Sequence, residues 1–152
     1  RDPAAWSPSL GFAFGLAERM PVGVKLGPGI EHGLLPPDAE WQWVSADHDV
    51  VEAVVWAGGL ERPGVGRAAL VLGAHGAAEL TGAAAARDAE AGALGGYLLE
   101  PDGAVIRARL IGDLARSVGG RMLDPTIAWI TTDAAPSTPF GAAFRVRERF
   151  PL

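Results

Sequence analysis

Apolar and polar residues alternate from Glu40 to Ser45, with Trp41 and Trp43 on one face, and an apolar run resumes from Val50 to Trp56 after the polar turn Ala46-Asp47-His48-Asp49. The spacing predicts a β-hairpin. Its second arm carries apolar groups on both faces, as an interior strand does. Upstream, Val22 to Leu26 is a further strand. It follows a helix that Ser7 is placed to cap and Pro8 to open, with Leu10, Phe14 and Ala17 as its apolar stripe and Pro21 as its stop. Gly27-Pro28-Gly29 reads as a tight loop, and Ile30 to Leu35 as a helical turn before Pro36-Pro37. Helix, strand, loop and hairpin in this order predict a covered sheet with an added hairpin.

Gly58-Gly59 and Pro63-Gly64 supply the strongest boundary signal, dividing the chain into units at 1–60 and 61–152. Within the second unit, Ala68 to Leu72 and Gly96 to Pro101 read as strands, and the Ala-rich segment from Ala83 to Ala93 as a loop. Asp102 is placed to cap the strongest helix of the chain, whose apolar face is Val105, Ile106, Leu110, Leu114 and Val118 and whose end is Gly119-Gly120. Ile127 to Thr132 and Phe144 to Phe150 are the last expected strands, the latter with strict alternation. The expected fold is therefore α/β in the first unit and a small α+β domain in the second.

At 152 residues, 49% of them hydrophobic, the chain has ample material for a core. No apolar run approaches the roughly 20 residues of a bilayer span, and no basic-then-apolar leader opens the sequence. A cytoplasmic protein without a membrane partner is expected. Cysteine is absent, which excludes disulfides, thiolate catalysis and Cys-ligated zinc, and three scattered histidines give little basis for a metal site. The net charge of −5 lies in the first unit: residues 1–62 carry 4 basic and 9 acidic side chains, residues 63–152 carry 9 of each. A broadly basic nucleic-acid footprint is missing, so any RNA contact must come from local clusters.

The segments SPSLGFAFGLAER, VKLGPGIEH, AEWQWVSADHDVVEAVVW, YLLEPDGAVIRA and TPFGAAFRVRERFPL, in this order, resemble bacterial class I S-adenosylmethionine-dependent methyltransferases that carry a C-terminal THUMP-like domain. The resemblance covers nearly the whole chain. It implies that residues 1–60 are the closing strands of a Rossmann-like catalytic sheet, whose last strand inserts antiparallel between its neighbours, and that 61–152 form the THUMP-like domain. It implies S-adenosylmethionine as cofactor of the parent protein, with methyl transfer to a positioned base of RNA. The sequence departs from the full-length pattern in lacking the strand-GxG-helix element and the acidic residue for the ribose. These are expected upstream, in an N-terminal part of the methyltransferase domain acting as partner to this chain, which by itself is expected to bind no cofactor and to lack activity. Asp2-Pro3-Ala4 superficially matches the family's methyl-site motif, and is read as a decoy.

Lys25, Pro28, Gly29 and His32 follow the carboxyl end of a strand, where open α/β sheets bind ligands, and are the candidate substrate-side residues. Without a ligand they read as a strand-end lysine, a turn and a loop histidine. Arg145, Arg147 and Arg149 share one face of the expected last strand, at a spacing able to follow a phosphate backbone, and Arg107, Arg109 and Arg116 add charge on the strong helix. Ordinary edge protection explains the same arginines. Glu100 suits a structural pairing, Trp41, Trp43 and Trp56 suit the core, and His48 with Asp49 lacks a third metal ligand. A noncatalytic RNA-binding or protein-interaction module is the competing reading.

Overall fold

The alternating segments pair as their patterns require. In the computed structural model, which describes residues 6–74, 76–85 and 89–150, β1 (Val22–Leu26), β2 (Glu40–Ala46), β3 (Asp49–Ala57), β4 (Arg67–Gly73) and β5 (Gly76–Gly82) form one mixed sheet of order β1-β3-β2-β4-β5. β3 lies between β1 and β2, antiparallel to both, with Val24 opposite Val55 and Trp43 opposite Ala53. Asp47 and His48 both take positive φ, 48° and 72°, the backbone of a two-residue hairpin turn that follows the strand twist. Ala53, Val54 and Val55 are buried, as a central strand demands, but Val51 is 50% exposed, so β3 is apolar on both sides without being covered on both along its length. The sheet then runs on past residue 60: β4 pairs parallel with β2, and β5 returns antiparallel as the edge.

α1 (Leu10–Gly15) continues into a 3-10 turn at Leu16–Glu18 and packs Leu10, Phe14 and Ala17 against the core. Ser9, not Ser7, is its cap, accepting the Phe12 N–H at 3.2 Å. Asp2 lies outside the described residues.

The second sheet contains β6 (Tyr97–Pro101), β7 (Arg121–Asp124), β8 (Ile127–Thr132) and β9 (Gly141–Arg145), all antiparallel, in order β7-β8-β6-β9. Asp102 caps α2 (Gly103–Arg107) through the Ala104 N–H at 2.8 Å. The expected single helix is two: α3 (Ile111–Ser117) starts after a break at Arg109, which takes φ 55°. The physical reason lies in the spacing. Val105 and Leu110 are five residues apart, and about 100° per residue would carry them to different sides of one continuous helix. The break, closed by the Leu110 N–H to the Val105 carbonyl at 3.0 Å, lets Val105, Leu110 and Leu114 all reach zero exposure. Gly119, at φ 63°, ends α3 as expected.

α2 packs on β2, β3 and β4 while α3 packs on β7 and β8, so the helices join the two sheets into one core containing Trp43, Val55, Leu99, Leu110, Leu114 and Ile130. The approach is close. A Cβ on Gly103 would stand 2.5 Å from Val50 Cγ2 of the first sheet. The described part of the Ala83–Ala93 segment carries no helix, and Ala91 bridges Met122 of β7; residues 86–88 lie outside the described ones. The strand expected over Phe144–Phe150 ends at Arg145, and Phe144 and Phe150 are exposed, at 48% and 81%. β9 is an edge, and Trp129, its ring centre 5.9 Å from that of Phe144, covers that side chain only in part.

Candidate functional site

The loop after β1 is fixed from beneath by two indoles. Trp43, buried on β2, donates its Nε1–H to the Pro28 carbonyl at 3.1 Å, and Trp41 donates to the Pro36 carbonyl at 2.8 Å. A buried indole needs an acceptor, and these two acceptors bracket the segment that carries His32. The His32 ring lies near-parallel to Trp41, with centroids 5.8 Å apart, and edge-on to Trp43 at 4.9 Å. The tryptophans read as core thus also shape the site.

His32 faces the junction of α2 and α3. Its Nε2 lies 2.8 Å from the Arg107 carbonyl, so that nitrogen carries the proton and donates. Gly29, Ile30, Glu31, His32 and Gly33 on one side, with Ile106, Arg107 and Arg109 on the other, line a cleft of about 490 Å³. Two separate sets of sequence candidates therefore meet in one place, brought together by tertiary packing alone. Lys25 stands apart, paired with Glu52 of β3 at 2.7 Å, and Pro28 serves the Trp43 anchor.

Arg107, Arg109 and one exposed carboxylate, Glu31, line the cleft. Burial lowers the His32 pKa below its ordinary value, the hydrogen bond to the Arg107 carbonyl opposes this, and Arg109, Arg67 and Arg107 lower it further. Arg67, which opens β4 beside Trp41, is only 8% exposed. Its guanidinium carbon sits 5.4 Å from the centre of the Trp41 ring, and its Nε donates to the Ala84 carbonyl at 2.7 Å. Its Nη1 is buried without a partner. Burial first, and Arg109 second, lower its pKa. Among the described residues, no carboxylate pairs with Arg67, Arg107 or Arg109. Sequence reasoning did not single out Arg67. The available signal was a charged residue opening the otherwise apolar run RAALVL.

Arg145 lies on β9 opposite Tyr97, whereas Arg149 turns back to donate to the Leu94 carbonyl and to the Gly95 carbonyl at 3.1 Å. With the strand ending at Arg145, the three arginines do not share one strand face. Among the described residues no helix is long and apolar enough to cross a membrane, and no three potential ligands gather for a metal.

The cleft does not fit S-adenosylmethionine. Gly27-Pro28-Gly29 leads into a 3-10 turn at His32–Leu34, which offers no helix N-terminus of the kind that receives a nucleotide cofactor in open α/β sheets.

No family model matches the chain. Over 149 residues, 96% of its length, it is 33% identical to an uncharacterized S-adenosylmethionine-dependent methyltransferase of Mycobacterium tuberculosis, found in strains CDC 1551 / Oshkosh and ATCC 25618 / H37Rv. It spans 40% of the length of these relatives. A crystal structure of a candidate methyltransferase from Porphyromonas gingivalis W83 superposes with a TM-score of 0.71 at 20% identity, covering 95% of this chain and 40% of that one. The chain is thus similar to bacterial S-adenosylmethionine-dependent methyltransferases, with a Rossmann-like mixed sheet joined to a smaller β-sheet unit.

Proposed function

We propose that this chain is the C-terminal part of a cytoplasmic S-adenosylmethionine-dependent methyltransferase acting on RNA. Residues 1–60 complete its catalytic sheet. Residues 61–152, which add β4 and β5 to that sheet before building the second one, form a THUMP-like unit. The observation that carries the reading is β3, inserted antiparallel between β1 and β2, in a chain 33% identical to longer methyltransferases. β1 has no partner on its outer side among the described residues. That free edge suits the remaining strands of a catalytic sheet, supplied by a protein of the relatives' length.

On this reading the cofactor sits on the part of the relatives' length that this chain does not span, and Gly29 and His32 face the substrate. What these residues can do is positional. His32, neutral through burial and neighbouring arginines and held by Trp41, Trp43 and the Arg107 carbonyl, is a rigid wall beside the cleft. Alignment of a base and exclusion of water are the chain's contribution, while the cofactor supplies the electrophilic methyl.

The test is incorporation of label from methyl-tritiated S-adenosylmethionine into total cellular RNA by the protein at its relatives' length. Label in RNA, and no calorimetric binding of the cofactor by the 152-residue chain alone, is the expected pair of results. Label in protein or small molecules only would overturn the RNA assignment.

A further inference from the structure

We propose that the cleft between the loop after β1 and the α2–α3 junction is a phosphate-binding site, with Arg107 and Arg109 as its cationic donors, His32 as its opposite wall and the buried Arg67 as a positive charge behind that wall. The site stands on geometry; its assignment to a backbone phosphate of RNA rests on the function proposed above.

Three observations converge. Arg67 is a buried guanidinium with a bare Nη1 and no carboxylate partner among the described residues. A buried charge is costly unless paired, and here the surrounding charges are also positive: Arg109 acts on Arg67, and all three arginines act on His32. An anion is the missing complement. Next, Arg107 and Arg109 are exposed on the wall facing Gly29 and His32. Arg109 holds its place with a left-handed backbone at φ 55°, a conformation that L residues other than Asn and Asp seldom adopt. Finally, the cleft volume of about 490 Å³ falls within the range of roughly 300–1,000 Å³ that holds small ligands. Glu31 is the one carboxylate lining it, and it is exposed.

Guanidinium groups donate in a planar fork that matches phosphate oxygens. Arg107 and Arg109, both exposed, bring movable donors, while Arg67, held by its Nε bond to the Ala84 carbonyl and its place at the Trp41 ring, adds a fixed positive charge that acts on His32. The site joins elements from both sides of residue 60, so a ligand here contacts the first sheet and the helical layer at once.

Calorimetric titration of the 152-residue chain with inorganic phosphate at low ionic strength tests the site. Saturable binding is expected, with Arg107→Gln and Arg109→Gln each weakening it at least five-fold and Arg19→Gln, an equal charge change on an exposed residue elsewhere, leaving it unchanged. Arg67→Gln, which removes a nearby charge and no donor, should weaken it by less than either; circular dichroism confirms that this variant folds, and the two exposed positions decide the matter if it does not. No saturable binding, or equal loss with Arg19→Gln, overturns the proposal. A second arm separates the sources: fluorescence anisotropy with a labelled single-stranded RNA. Phosphate competing with RNA, and a smaller salt slope in Arg107→Gln and Arg109→Gln, support the backbone assignment. Phosphate binding without RNA binding keeps the site, assigns it to a free phosphate-bearing ligand, and counts against the RNA reading alone.

Discussion

Two clusters of charge border the first sheet, and they are built in opposite ways. At one, Glu40 is 1% exposed on β2, and Arg62 meets it through Nε at 3.0 Å while its Nη1 reaches Glu79 at 2.6 Å; Gln42 donates to Glu79 as well. Every charge there has a partner of opposite sign. The hydrogen bonds to Glu79 and Glu40 push the Arg62 pKa up, and Arg62 holds Glu79 below the usual carboxylate range. At the other, Arg107 and Arg109 line a cleft with no carboxylate engaged, and Arg67 is buried close enough to act on His32. The first cluster is internally complete and explains itself as structure. The second is complete only with something added, which is why the cleft and not the Glu40 network is the candidate site.

Stability measurements can break this contrast. Replacing Arg62 with Met leaves Glu40 buried and unpaired, and should cost about 3 kcal/mol in urea unfolding. Adding Glu40→Leu should recover much of that loss; a double variant no better than the single one would show that the network does not act as a unit. Arg67→Met should move stability the other way, a gain of about 1 kcal/mol, because removing an unpaired buried guanidinium outweighs the loss of its contact with Trp41. A loss as large as that of Arg62→Met would make the two clusters alike and remove the case for a binding site. Arg109→Gly should stabilise by about 0.5–1 kcal/mol, since glycine relieves the left-handed backbone at some entropic cost; a destabilised variant would mean that the arginine side chain holds the α2–α3 break.

The smallest effect is the pH dependence. His32 lies below its ordinary value near 6.5, chiefly through burial, so the unfolded chain binds the proton more readily. Its contribution is complete above pH about 6.5 and declines as pH falls from there toward the lowered folded value. Glu79, also lowered, keeps its contribution above its ordinary value of 4.5 and loses it as pH falls from there toward its lowered folded value. His32→Gln should therefore flatten the shallow slope of urea stability between pH 7.5 and 5.5, and Arg62→Met should leave that segment of the curve in place.

The strands with clear alternation were legible from the chain. Val22 to Leu26 and Ile127 to Thr132 match β1 and β8 residue for residue, and the hairpin turn lies where the polar residues place it. β5 and β7 were missed. β5 reads GAAELTG, small residues whose strand state comes from pairing with β4 and not from propensity. β7 is four residues long, too short to show a period. The helix break was hidden because Ile106 falls at helical spacing, yet it is exposed while Leu110 is buried. At the site, Gly29, His32, Arg107 and Arg109 were all named from sequence, but as unrelated groups more than 70 positions apart.

The sequence by itself determined which segments alternate, where the turns fall, that no thiol or disulfide chemistry is available, and which methyltransferases the chain resembles. Those properties are local or compositional. Only the tertiary structure decided that β4 pairs parallel with β2, that Trp41 and Trp43 pin the loop after β1, and that Arg107 and Arg109 face His32 across a cleft. Each of these depends on contacts distant in sequence, set by how much apolar surface the two sheets bury against α2 and α3. A local pattern carries no record of that sum.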